Sequence, residues 1–111
     1  MAVDFQACTR IVTGLSGHYA LPCTVSQGRG RRSYAYICER HITLGSSATS
    51  WTCYHEFAHL LLDQRVPGQG HLHNRAFFQA LCDVLGADAC ALHTYPWAKE
   101  YPRLARWYRT L

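Results

Sequence analysis

No two of the six cysteines stand in a Cys-x-x-Cys pair, so the usual sign of a zinc ribbon is missing. No apolar run approaches the roughly 20 residues that cross a bilayer, which argues against a membrane span. The opening stretch MAVDFQACTRIV carries an acid at Asp4 and lacks the sustained apolar core of a secretory signal. A cytoplasmic protein is expected, or a virion-associated one if the source is a virus, with reduced cysteines instead of three disulfides. Cys8, Cys23, Cys38 and Cys53 are evenly spaced, yet the segments between them share no hydrophobic pattern and make no repeat. Charge is also scarce, 16% of residues, which leaves little material for a disordered segment.

What remains is a well-buried chain of 111 residues, 49% hydrophobic, long enough for one core and too short for two. A single domain over 1–111 is expected. The net charge of +4 is modest, but arginines bunch at Arg29, Arg31 and Arg32 and again at Arg103, Arg106 and Arg109. Such ridges can grip phosphates while neighbouring aromatics stack on bases, so nucleic acid is a conceivable partner. The plainer reading of the second cluster is a basic, aromatic tail over 96–111 whose terminal helix docks through Leu104, Trp107 and Tyr108 with its arginines in water.

Apolar positions at helical spacing predict a first helix from Asp4 to about Gly17, ended by Gly14 and Gly17. YALPCTVS leans to strand, and SYAYICE followed by RHITLG predicts two strands joined by a tight turn, giving a small three-stranded sheet. SSATS supplies N-caps for a helix from about Trp51 to Gln64, which Pro67 and Gly68 terminate. NRAFFQALCDVLG predicts a further helix burying Phe77, Leu81, Val84 and Leu85, and the remainder is a loop with one terminal helix. The fold class is α+β.

Within the Trp51–Gln64 helix, YHEFAHLLL sets His55, Glu56 and His59 in the spacing HExxH. Residues four apart lie one turn above each other on the same face, so two imidazoles can serve one ion while Glu56 stands beside it. Zn²⁺ with three protein ligands keeps a position for water and lowers that water's pKa, and a neighbouring carboxylate can take the proton. Chance alone would produce the pattern about once in a hundred shuffles of this composition. The flanking Phe57, Ala58, Leu60, Leu61 and Leu62 make the helix apolar nearly all round, so three polar residues on it need a reason. Two core histidines bonded to carbonyls are the plainer alternative. For the third ligand, the position six beyond His59 is Arg65, and Glu100, the sole later glutamate, lies near the end and close to a proline. That leaves His71 and His73.

ITL, HEFAHLLL and HNRAFFQALCDVLG together resemble the SprT-like zinc metallopeptidases, whose pattern is a short strand, HExxH, a loop, and a His-Gly-x-x-aromatic helix often ending in Leu-Gly. The resembling elements lie in 41–86, and with the preceding strands the likeness covers about 19–95. It implies a minimal zincin-like domain in which an N-terminal helix and a small three-stranded sheet precede the HExxH helix, and the following helix supplies the third ligand. By that likeness His73 is the third ligand, Phe77 the aromatic and Leu85-Gly86 the helix end, whereas His71 would have Arg75 in the aromatic position. The implied activity is hydrolysis of a protein or peptide substrate with one Zn²⁺ and Glu56 as general base. Asn74 stands where the family has glycine, and the zinc ribbon that commonly follows is absent, which weakens any inference about DNA-dependent regulation. The rival expectation is a non-catalytic, zinc-stabilised assembly or nucleic-acid-binding protein, for example a viral structural component.

Three further residues are candidates. His93 and Tyr95, in HTYPW, can supply a neutral donor to an oxyanion or simply pack in an aromatic loop. Asp63, one turn beyond His59, can orient a ligand histidine or merely end the helix in solvent. Cys53 falls off the zinc face and is expected in the core. An edge strand, 34–38 or 41–45, is expected to hold the substrate extended.

Overall fold

In a computed structural model that describes residues 5–86 and 90–111, the chain forms five helices and one small sheet, a mixed α+β arrangement. Helix α1 (Phe5–Tyr19) buries Cys8, Val12 and Leu15, the helical spacing anticipated from the sequence. The expected start at Asp4 lies outside the described residues. The helix runs past Gly14 and Gly17, both on its exposed side, and the expected stop there is corrected. Its end is a Schellman turn. Leu21 N–H donates to Ser16 O at 3.0 Å and Ala20 N–H to Gly17 O at 3.3 Å, with Ala20 itself left-handed at φ 51°.

Three strands follow, β1 (Thr24–Gln27), β2 (Tyr34–Tyr36) and β3 (His41–Leu44), in spatial order β1-β3-β2. β3 is central, parallel to β1 and antiparallel to β2. Of the two strands considered for holding substrate, 41–45 is therefore excluded because its backbone is paired on both sides, and β2 is the one with a free edge. Ile42 and Leu44 turn inward and are buried. Gly45 lets the chain leave β3 hard against the arginine loop, since a Cβ there would lie 2.3 Å from Arg31 O.

Helix α2 (Ser50–Arg65) starts after Thr49, whose N–H donates to the Thr52 hydroxyl at 3.0 Å. It is the central element, packed against α1, β2, β3 and α3 (Arg75–Gly86). Asn74 caps α3 by accepting the Phe77 N–H at 3.0 Å, and the helix buries Phe77, Leu81, Val84 and Leu85 as anticipated, with Phe78 and Ala80 besides. Fully burying an aromatic or Leu side chain contributes roughly 1.5–3 kcal/mol, so this α2–α3 seam is a main source of stability.

Beyond 90 the tail is more structured than one loop and one helix. It forms α4 (Ala91–Thr94), a 3-10 turn (Trp97–Lys99) and α5 (Pro102–Arg109). Leu104 and Ala105 are buried, Trp97 stacks on Tyr108 with centroids 4.8 Å apart at 11°, and Trp107 lies 5.8 Å from Phe78. The aromatics of α5 thus face the protein, while Arg103, Arg106 and Arg109 are exposed. Cys53 is in the core as expected, and Cys8, Cys23, Cys38, Cys53 and Cys82 are thiols. Among the described residues no helix is long and apolar enough to cross a membrane.

Candidate metal centre

Helical spacing on α2 brings His55 and His59 together, ring centroids 5.0 Å apart. The third histidine comes from a loop that doubles back on the same helix. Asp63 organises that loop by accepting the N–H groups of Gly68 (3.0 Å) and Gly70 (3.4 Å). Gly70 is buried against α2, where a Cβ would lie 2.6 Å from Asp63 Cβ, so only glycine permits the approach. Its carbonyl accepts the Nδ1–H of His59 at 2.7 Å. The chain then carries His73 to the pair. His55, His59 and His73 each offer a ring nitrogen, all within 4.8 Å of one another, a group that can hold a metal ion.

One donor pair has the spacing of a tetrahedral ion. Zn–N bonds of about 2.0–2.1 Å require ligand nitrogens roughly 3.3 Å apart, and Nε2 of His55 and Nε2 of His73 are separated by 3.3 Å. Tautomers reinforce this. A carbonyl only accepts, so His59 carries its proton on Nδ1 and presents Nε2 as a lone pair. His55 donates Nδ1–H to Glu100 Oε2 at 2.7 Å, which leaves its Nε2 as a lone pair facing His73. At that distance the two Nε2 atoms share either a proton or a cation.

Electrostatics differ sharply among the groups. Burial, then the neighbouring His55, push His59 down to about 3, and the same two causes lower His73, so both are held neutral. Burial also opposes charge on His55, but the hydrogen-bonded Glu100 carboxylate outweighs it and raises the pKa. Glu100 itself is lowered, because the His55 hydrogen bond overcomes a burial cost that acts in the other direction. Glu56 is pushed up to about 7, chiefly by burial. Its carboxylate accepts no hydrogen bond from the described residues, whereas Glu100 accepts two.

These groups open into a cleft of about 510 Å³, lined among others by Arg32, Tyr34, Ile37, His55, Glu56 and His73. β2, one of the two edge strands, thus contributes Tyr34 and Ala35 to the cleft. His71 lines the cleft too, but it is exposed and stands outside the converging group, so His73 is the third member. Asp63 acts on the site one step removed, through Gly70 and not by touching a histidine ring. Tyr95 does reach back, but its hydroxyl donates to Glu100 and is not directed at the cleft as an oxyanion donor. His93 is away from the centre, exposed, with Nδ1 3.1 Å from the Tyr108 hydroxyl. Arg32 reaches the cleft rim, and Arg29 and Arg31 are exposed in the same loop.

Glu100, weighed in the sequence only as a third ligand, instead pairs with His55, a contact that sequence reasoning did not anticipate. The one signal for it was an acid inside the aromatic run YPWAKEY, where Tyr95 and Trp97 are buried and a charge needs partners. Comparison with protein-family models, with curated proteins and with solved structures finds no match for this chain.

Proposed function

We propose that this chain is a minimal zinc-dependent metallopeptidase of zincin-like, SprT-like design, in which His55, His59 and His73 hold one Zn²⁺ and Glu56 is the general base. The observation that carries the reading is the convergence of three imidazole nitrogens within 4.8 Å of one another, one pair at 3.3 Å, beside a carboxylate in an open cleft lined in part by the edge strand β2. A zinc ion supplies Lewis acidity, which activates a water and polarises a peptide carbonyl. The substrate backbone lies extended along β2, its amides completing the hydrogen bonds that β2 does not make within the sheet. Glu56 takes the proton of the attacking water on a carboxylate oxygen and passes it to the departing amine nitrogen. A carboxylate at this position, unused by any hydrogen bond from the described residues, has no role in a purely structural zinc site.

Glu56→Gln separates the alternatives. The substitution preserves shape and leaves all three histidines in place, so zinc stays bound while cleavage of a denatured protein substrate falls by orders of magnitude. Hydrolysis by a rigorously purified Gln variant at the wild-type rate contradicts the mechanism. Wild-type protein that holds zinc and cleaves nothing across a broad peptide library makes the ion structural.

A further inference from the structure

Each of the three histidines is oriented by a different segment. His59 donates to the Gly70 carbonyl and His55 to Glu100. Nδ1 of His73 has no hydrogen-bond partner among the described residues, but its ring lies against Tyr101, centroids 4.2 Å apart at 35°. Two consecutive residues of the tail, Glu100 and Tyr101, therefore touch two of the three candidate ligands from outside. Glu100 is anchored behind the cleft, whereas Tyr101 lines it and is 52% exposed. Tyr95, 6% exposed, donates its hydroxyl to the Glu100 oxygen that His55 uses, and packs edge-on against Trp51 of α2 at 5.5 Å. Trp97 donates Nε1–H to Leu92 O at 2.8 Å and stacks on Tyr108 of α5. The Glu100 side chain is only 8% exposed, and a charge so buried is retained when it is paired and hydrogen-bonded.

We propose that Glu100 and Tyr101 form a clasp by which the C-terminal tail retains the metal, Glu100 fixing the His55 tautomer and ring, Tyr101 holding His73 against release. The inference rests on the metal-binding reading above. A carboxylate behind a ligand imidazole raises that ligand's basicity and holds its free nitrogen toward the ion, and loss of such a partner weakens metal binding by about 10–100-fold. His73 is the ligand most in need of restraint, since it sits on a loop and is only half-buried, whereas His55 and His59 are fixed by α2. Glu100 and Tyr101 are positioning residues that act through the histidines. The tail is thus part of the metal centre and more than an appended basic arm.

The test is zinc affinity, by competition with a chromophoric chelator, together with the visible spectrum of the Co²⁺-substituted protein and melting of the metal-free form. Glu100→Gln is expected to weaken zinc about 10–100-fold and to alter the cobalt bands, beyond the metal-free stability lost with the buried His55 pair. Tyr101→Ala is expected to hasten zinc transfer to the chelator. Glu100→Asp, which keeps the charge on a shorter arm, recovers part of the affinity. Should Glu100→Gln fail to fold, Tyr95→Phe carries the same test by removing one hydroxyl, with a smaller loss expected. Unchanged zinc affinity, release rate and cobalt spectrum in folded variants overturn the clasp alone. A wild-type protein that takes up no zinc overturns the clasp and the metallopeptidase reading together.

Discussion

Glu56 is a carboxylate placed where burial resists its charge, and that conflict can be measured. Its pKa in the folded, metal-free protein, about 7, stands above the ordinary 4.5, so the folded state holds a proton between those values that the unfolded chain gives up. The stability this contributes is full below pH 4.5 and is lost as pH rises through 7. At 1.36 kcal/mol per unit the loss is about 3 kcal/mol. Glutamine does not titrate, so the stability of metal-free Glu56→Gln relative to wild type should rise by about 3 kcal/mol between roughly pH 4 and pH 8, read from urea midpoints. The depressed His59 titrates in the opposite sense but is common to both proteins and cancels to first order. A pH-independent difference would show that Glu56 is not held in a poorly solvated site. At the same scale, His55, Glu56 and His59 were legible because their relation is one turn of one helix. Glu100 was not, because its contact with His55 spans 45 residues and depends on how an aromatic tail packs.

Among the elements, caps, periodicities and the stop at Pro67 and Gly68 succeeded, α2 ending at Arg65, whereas the stop at Gly14 and Gly17 failed. Asn74 at the start of α3 did what an N-cap does, and its place directly after His73 ties helix stability to ligand position. Asn74→Ala should cost about 1 kcal/mol and weaken zinc binding as well, checked by denaturation and metal titration of the same sample. Gly14 and Gly17 looked like a helix end but only lower propensity on an exposed face. The true end is set by the left-handed turn at Ala20, where a Cβ is unfavourable. Ala20→Gly is therefore expected to stabilise the protein by about 1 kcal/mol, and a melting temperature lowered by the substitution would contradict the Schellman assignment. The strand order also lay beyond sequence reading. Three β-leaning segments were visible, but only the fold could say that 41–44 runs in the middle and 34–36 lies at the edge.

The whole molecule is small for the task of holding a buried ionisable cluster, and a bound ion is expected to stabilise it. In the proposed reading zinc binds the folded arrangement of residues 55, 59 and 73 and not the unfolded chain to any comparable degree. At a free concentration 100 times the dissociation constant it adds about 2.7 kcal/mol. Chelation should lower the melting temperature accordingly, and re-addition should restore it. The arginines at 103, 106 and 109 belong to this scale too. With Trp107 and Tyr108 turned inward, that helix offers charge without stacking rings, so any nucleic-acid binding there should be weak and fall steeply with added salt.

The measurement that bears most directly on the central claim is the zinc content of purified protein by elemental mass spectrometry, wild type beside folded His55→Ala, His73→Ala and His71→Ala. The account predicts near-stoichiometric zinc in wild type and His71→Ala, and its loss in the other two. No zinc in wild type prepared without chelator, and none taken up on addition, would contradict it and return HEFAH to the status of a core helix.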